Sequence, residues 1–268
     1  MFQLMKSITA IAASAATACA SAFAAPMIIS DIAFIIDDSV SMRGDIEQVK
    51  ARIVEFNQAM IDAGIAANYG LVSFGGPSGA GGGCNPIVKL QQDVTSFADF
   101  NRAGGPFQTL EAPCSTREPG SEATAFALQN LNFRTNSVIN VILITDEDDD
   151  SSAADFALAD TELTAADALF NFIGRPGVGN TNNRYGVLAA DHGGQAFDIL
   201  SFRRDPEPFF QNFVATKVQE ILDVCIQNPT LPECQGDPGT DVSEPSLPLG
   251  LFGLGLIGYA FYRCRAAL

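Results

Sequence analysis

The sequence predicts an α/β protein built on a doubly wound, mostly parallel central sheet with helices on both faces. Three observations predict it. Short apolar runs alternate with longer segments of helical periodicity. The runs are nearly continuous in β-branched, aliphatic and aromatic residues, as strands buried on both faces require. Aliphatic and aromatic residues make up 47% of the 268 positions, enough to bury a sizeable core.

The elements follow in order. Residues 27–36 read as a central strand. Ile46, Val49, Ile53, Phe56 and Met60 recur at intervals of three and four, the stripe of an amphipathic helix. A second strand is predicted over 69–74, then a Gly-rich loop over 75–83 that ends at Cys84. A short edge strand follows at 87–90 and a helical turn at 96–101. Residues 122–131 read as helix and 137–145 as a buried strand. An Ala- and Leu-rich helix is predicted over 153–172, then two strands over 184–190 and 196–202. Phe210, Val214, Val218, Ile221 and Cys225 mark a last helix. Strands alternating with helices imply a covered parallel sheet in one domain over 27–234.

Both flanks read as addresses. Lys6, the apolar stretch 8–23 and Ala22-Phe23-Ala24 form a signal peptide, residues 1–24, cleaved after Ala24. At the other end a polar linker, 235–246, leads into a hydrophobic sorting or anchor segment, 247–268. Its apolar part, 247–262, is followed by Arg263 and Arg265. As a helix that part reaches about 24 Å, short of a hydrocarbon core about 30 Å thick, so it spans a transmembrane path only marginally. Membrane contact is expected through this segment alone.

Charge and inventory exclude several functions. The 31 acidic residues outnumber the 15 basic ones, so no basic stripe exists for nucleic acid. Removing Lys6, Arg263 and Arg265 with the two flanks leaves 12 basic residues against the same 31 acids. A single His leaves no His-based relay or metal cage. The Gly-rich loop lacks a Gly-Lys-Ser/Thr ending and does not read as a phosphate cradle. Cys84, Cys114, Cys225 and Cys234 are even in number in an exported chain, which points to disulfides. Three pairings are open, and the most local, Cys84–Cys114 with Cys225–Cys234, is preferred.

The chemistry sits just past the first strand, at Asp37-Asp38-Ser39-Val40-Ser41. Doubly wound folds bind ligands outside the carboxyl ends of their strands. A carboxylate and two hydroxyls at that place offer hard oxygen ligands to Mg²⁺, Mn²⁺ or Ca²⁺, and would repel phosphate. Asp38 reads as an outer or solvated neighbour, and the acidic run 146–150 as a solvated loop. That run lacks the Gly and Glu that a calcium loop needs at its sixth and twelfth positions, where Ser151 and Ala157 stand. Arg43-Gly44-Asp45 reads as the entry to the first helix and His192 as a loop residue.

This Asp-x-Ser-x-Ser stretch after an apolar strand resembles the metal-ion-dependent adhesion site of von Willebrand factor A domains, the Rossmann-like fold also found in integrin I domains. Val141-Ile142-Leu143-Ile144-Thr145-Asp146 looks like the family's fourth strand ending in Thr-Asp. The stretch from Gly120 to Leu128 looks like its third loop and helix. The resemblance implies a divalent cation held by Asp37, Ser39, Ser41, Glu122 and Asp146, with one position open to an oxygen of a protein or polysaccharide partner. Glu122 stands where the family most often has Thr. Its added charge is expected to strengthen cation binding and to weaken dependence on an acidic partner. Ser243-Glu244-Pro245-Ser246, the apolar stretch and the arginines resemble the PEP-CTERM signals processed by exosortases in Gram-negative bacteria, although Ser243 replaces the first Pro. The expected function is therefore an exported, non-enzymatic adhesion module at the cell surface or in its matrix. The alternatives are a structural matrix protein with a fold-stabilising metal and a metal-dependent hydrolase. The second lacks an evident general base pair or nucleophile elbow.

Overall fold

The first apolar run becomes β1 (Ile28–Asp37), whose side chains divide between two cores. Ile32, Phe34 and Ile36 face one, and Ala33 and Ile35 the other. This two-faced burial makes it a central strand. It pairs in parallel with β2 (Ile65–Phe74) on one side and β4 (Val138–Ile144) on the other. The sheet has six strands in the order β3-β2-β1-β4-β5-β6. Of its outer members, β5 (Leu169–Gly174) and β6 (Ala196–Asp198) are parallel, and β3 (Val88–Ser96) is the antiparallel edge. The doubly wound fold is as expected. These statements come from a computed structural model that describes residues 27–77, 84–115 and 117–235. The chain divides into two units, residues 1–237 and 238–268, and every described residue lies in the first. The predicted signal peptide, nearly all of the linker and the hydrophobic tail lie outside the described residues. Among the described residues no helix is long and apolar enough to cross a membrane.

The two faces are covered by different chemistry. α1 (Arg43–Asp62) and α7 (Pro206–Gln227) cover the first. There Ile46, Ile53, Phe56, Phe210 and Phe213 pack on Phe34 and Ile36. Phe34 meets Phe56 edge-on at 5.8 Å and Phe56 stacks on Phe213 at 6.1 Å, so this layer is thick and aromatic. α3 (Gly120–Asn130), α4 (Ala153–Ala165) and α5 (Tyr185–Asp191) cover the second face. Ala123, Ala127 and Ala159 meet Ala33 and Ile35 there, and small side chains let these helices lie close to the sheet. α2 (Phe97–Phe100) is a single turn capped by Ser96. α8 (Pro232–Gln235) carries Cys234. The disulfides are Cys84–Cys114 and Cys225–Cys234, with Cα atoms 5.6 and 5.2 Å apart, the local pairing.

Three expectations need correction. The helix predicted over 153–172 stops at Ala165, and Asp167 turns the chain at φ 47° into β5. No Gly or Pro marks that break, so the helical stripe runs on into strand residues without a signal. The strand predicted over 184–190 is α5, whose Tyr185, Leu188 and Ala189 are buried at helical spacing. The strand predicted over 196–202 ends at Asp198. Its carboxylate accepts from Leu200 N–H and starts α6 (Ile199–Arg204), so a cap overrides the β-rich composition. The edge strand is also longer than predicted, running to Ser96.

Candidate metal centre

β1 and β4 end level with each other, Ile36 opposite Ile144. From there the chain leaves β1 for α1 on one face and β4 for α4 on the other. The strand order therefore reverses between them, which opens the crevice where doubly wound folds bind ligands. Asp37 closes β1, and Thr145 and Asp146 follow β4 at the mouth of that crevice.

Four predicted residues meet here in one hydrogen-bonded chain. The Asp37 carboxylate accepts from Ser39 N–H at 2.8 Å and from Thr145 Oγ1 at 2.7 Å. The Ser39 and Ser41 hydroxyls lie 3.0 Å apart. Ser41 Oγ donates to Asp146 Oδ1 at 2.9 Å. Asp37 is fully buried, and among the described residues no Lys or Arg pairs with it. Burial pushes its carboxyl up to about 7, against the hydrogen bonds of Thr145 and Ser39 and with help from the charge of Asp146.

Glu122 is not brought to this group. It sits in the first turn of α3, where Arg117 Nη2 donates to its carboxylate at 2.9 Å and its side chain is 37% exposed. Glu118, in the loop before α3, does reach these acids by its charge. It is buried just ahead of α3, and burial together with the charges of Asp37, Glu147, Asp150 and Asp146 pushes its carboxyl up to about 7. The physical reason is the helix start. Glu118 precedes the Pro119-Gly120 start of α3, whereas Glu122 lies inside its first turn and pairs with Arg117. The Pro-Gly pair was the available signal.

Three more residues complete the surroundings. Arg203 on α6 donates from Nη2 to Asp146 Oδ2 at 2.7 Å and from Nε and Nη2 to both oxygens of Asp45. Asp45 is buried in the first turn of α1, so the Arg43-Gly44-Asp45 tripeptide is internal architecture. Asp38 is buried rather than solvated, and accepts from Ser73 Oγ at 2.8 Å and Lys89 Nζ at 2.6 Å. In the acidic run, Asp149 and Asp150 are committed to protein donors. Asp149 holds Ser121 Oγ at 2.6 Å and Arg184 Nη1 at 2.9 Å, and Asp150 accepts from Glu118 N–H at 3.1 Å. Burial works to raise Asp149, yet the bonds from Ser121, Ser151 and Arg184 hold it below its ordinary value. His192 faces Asp160 at 2.8 Å, away from these groups.

The set fits a hard cation. Buried carboxylates, two of them raised by burial and mutual repulsion, share one end of the sheet with two serine hydroxyls. A divalent ion would remove that repulsion. Among the described residues no group of three or more His, Cys, Asp or Glu is arranged to hold a metal ion, so any such site draws on the hydroxyls.

The loop is braced from one side. Val40 N–H donates to Cys114 C=O at 2.7 Å and Cys114 N–H to Asp38 C=O at 3.1 Å, so the Cys84–Cys114 bridge holds the strand-like partner of the Asp-x-Ser-x-Ser loop.

Comparisons with known proteins agree with this geometry at the level of fold and sorting. Residues 241–266 match the model of the PEP-CTERM protein-sorting motif, a stretch that contains Ser243 to Ser246 and both terminal arginines. No curated protein matches the chain. Among solved structures it is similar to a von Willebrand factor type A protein from Catenulispora acidiphila, with a TM-score of 0.51 and 18% identity. The match covers 72% of this chain and 43% of that one, so the chain spans less than half of that protein's length. At such identity the likeness speaks for the fold alone. The chain thus joins a body with the von Willebrand factor type A fold to a C-terminal PEP-CTERM sorting motif.

Proposed function

We propose that this chain is an exported, surface-sorted binding module that holds a divalent cation, Mg²⁺, Ca²⁺ or Mn²⁺, at the carboxyl end of its sheet. Asp37, Ser39, Ser41 and Asp146 would hold the ion, and Glu118 replaces Glu122 as the acid from the third loop. The bound ion supplies a Lewis-acidic position for an oxygen of a protein or polysaccharide partner. The residues themselves orient and neutralise. Thr145 fixes the Asp37 carboxylate, and Ser41 fixes that of Asp146. The chain is proposed to bind and not to catalyse. An exosortase-type enzyme would process its C-terminal motif in a Gram-negative envelope.

The observation that carries this reading is the continuous hydrogen-bonded chain from Asp37, through Ser39 and Ser41, to Asp146 at the reversal of strand order. It is supported by the buried, unpaired Asp37 carboxylate, which is costly without a cation. The test is a melting curve of the full chain in Mg²⁺, Ca²⁺, Mn²⁺ or chelator. At an ion concentration 100 times Kd the stabilisation is about 2.7 kcal/mol, several degrees for a domain of this size. Asp37→Ala abolishes that response. A wild-type melting point indifferent to all three ions overturns the reading. Adhesion to protein or polysaccharide surfaces that is lost in chelator, while the fold persists, separates a binding role from a purely structural metal.

A further inference from the structure

We infer that Arg203 is a built-in counter-charge that sets the cation affinity of this centre, holding it weaker than its own acids would make it. The inference rests on the metal-binding reading above and goes beyond it. It names a residue outside the Asp-x-Ser-x-Ser loop and the loops that follow β3 and β4, brought in by a short helix on the far side of the sequence.

The geometry commits both oxygens of Asp146. Oδ1 accepts from Ser41 Oγ at 2.9 Å and so belongs to the hydrogen-bonded chain. Oδ2 accepts from Arg203 Nη2 at 2.7 Å. The guanidinium cannot swing aside at little cost, because Asp45 grips it from the other flank. Nε reaches both Asp45 oxygens at 3.1 Å and Nη2 reaches Oδ2 at 2.5 Å. Asp45 is itself buried in α1, which packs firmly on the sheet. Arginine presents its donors in a rigid fork and stays charged at any working pH, so this is a fixed unit of positive charge. A cation that draws on Asp146 shares that carboxylate with the guanidinium and is repelled by it.

Arg203 acts here as a positioning and affinity-setting residue and not as a ligand. Two effects oppose each other when it is removed. Asp146 loses one of its two anchors, which weakens a cation site by disordering a ligand. The site also loses a positive charge within a few ångströms, which strengthens it. Ser41 still orients Asp146, and Asp37 and Glu118 are held by other elements. The charge therefore dominates.

The test is calorimetric titration of Mg²⁺ and of Ca²⁺ into the full chain as wild type, Arg203→Gln, Arg203→Met, Arg203→Lys and Asp37→Ala, with circular dichroism to confirm folding. Arg203→Gln and Arg203→Met are expected to bind either ion about tenfold more tightly, on the order of what one near charge contributes at a partly exposed site. Arg203→Lys keeps the charge and is expected to stay within about twofold of wild type. A merely structural arginine gives the opposite pattern, with all three Arg203 variants binding more weakly in proportion to their loss of stability. Unchanged or weaker affinity in folded Arg203→Gln and Arg203→Met overturns the inference while leaving the metal reading intact, provided wild type binds and Asp37→Ala does not. Should wild type bind no cation, both fall together. Should the glutamine variant fail to fold, the methionine variant keeps an aliphatic stem in the place of the arginine's and carries the test.

Discussion

Asp37 and Glu118 have opposite origins at the same place. Asp37 ends a strand, so its side chain is fixed by the sheet and by Thr145. Glu118 belongs to a loop, yet it is held because its own backbone is pinned to Asp150 at 3.1 Å. Both carboxyls are raised by burial first and by neighbouring acids second. That is an unfavourable arrangement for the protein alone and a favourable one for a divalent ion. The residue-level prediction separates the two glutamates. Glu118→Gln weakens cation affinity at least about tenfold, and Glu122→Gln leaves it within about twofold, because the latter charge is already matched by Arg117 near solvent. Titration of each variant with Ca²⁺ checks this, and equal losses for both would return Glu122 to the site.

At the scale of elements, α7 is tied to the sheet by a polar network inside an otherwise aromatic layer. Lys217 is fully buried and donates to Glu220 Oε2 at 2.6 Å and to Asn171 on β5. Its ammonium also lies 5.0 Å from the Phe197 ring and 5.5 Å from that of Phe213. Asn171 reaches on to Asn140 on β4 at 3.0 Å. Burial pulls the Lys217 ammonium down to about 8, against the attraction of Glu220. The sign follows from proton counting. Between about 8 and the ordinary value of 10.5, the unfolded chain holds a proton that the folded chain has released, so stability from this group rises with pH. Wild type should gain about 1–2 kcal/mol relative to Lys217→Met between pH 8 and 9.5, measured by denaturant unfolding. Glu220→Leu leaves the ammonium buried without its carboxylate, and should cost about 3–5 kcal/mol at pH 7. A cost under about 1 kcal/mol would mean that Asn171 and the rings suffice.

At the scale of the whole molecule, the two disulfides do different work. Cys225–Cys234 closes nine residues at the end of α7, far in sequence from the centre. Cys84–Cys114 closes thirty and anchors the segment whose backbone pairs with Asp38 and Val40. Chain entropy makes the longer closure the larger stabiliser, about 3–4 kcal/mol against about 2–3. Replacing Cys84 and Cys114 by Ser should therefore lower stability more, and should also weaken cation binding. Replacing Cys225 and Cys234 should lower stability alone. Melting curves and Ca²⁺ titrations of the two double variants test this, and equal effects on binding would detach the bridge from the centre. The surplus of acids across the body adds a long-range field that draws cations toward any such site.

Composition and periodicity by themselves determined the alternating architecture, the central position of the first apolar run and the oxygen-rich loop at its end, and left the choice among three cysteine pairings to the structure. These are properties of neighbours in sequence, and a period of two or of 3.6 is visible without a partner. The sorting motif was legible for the same reason, as a linear signal. Tertiary structure alone decided that residues 169–174 are a strand and 185–191 a helix, because each apolar run fits both periods until a neighbouring surface selects one. It alone paired Glu122 with Arg117 and left the charge of Glu118 to the acids at the strand ends, four residues apart on either side of a helix start. It alone brought Arg203 onto Asp146, 57 residues away in the chain. An ion pair at that separation is set by how α6 packs beside the strand ends, and no local pattern encodes it.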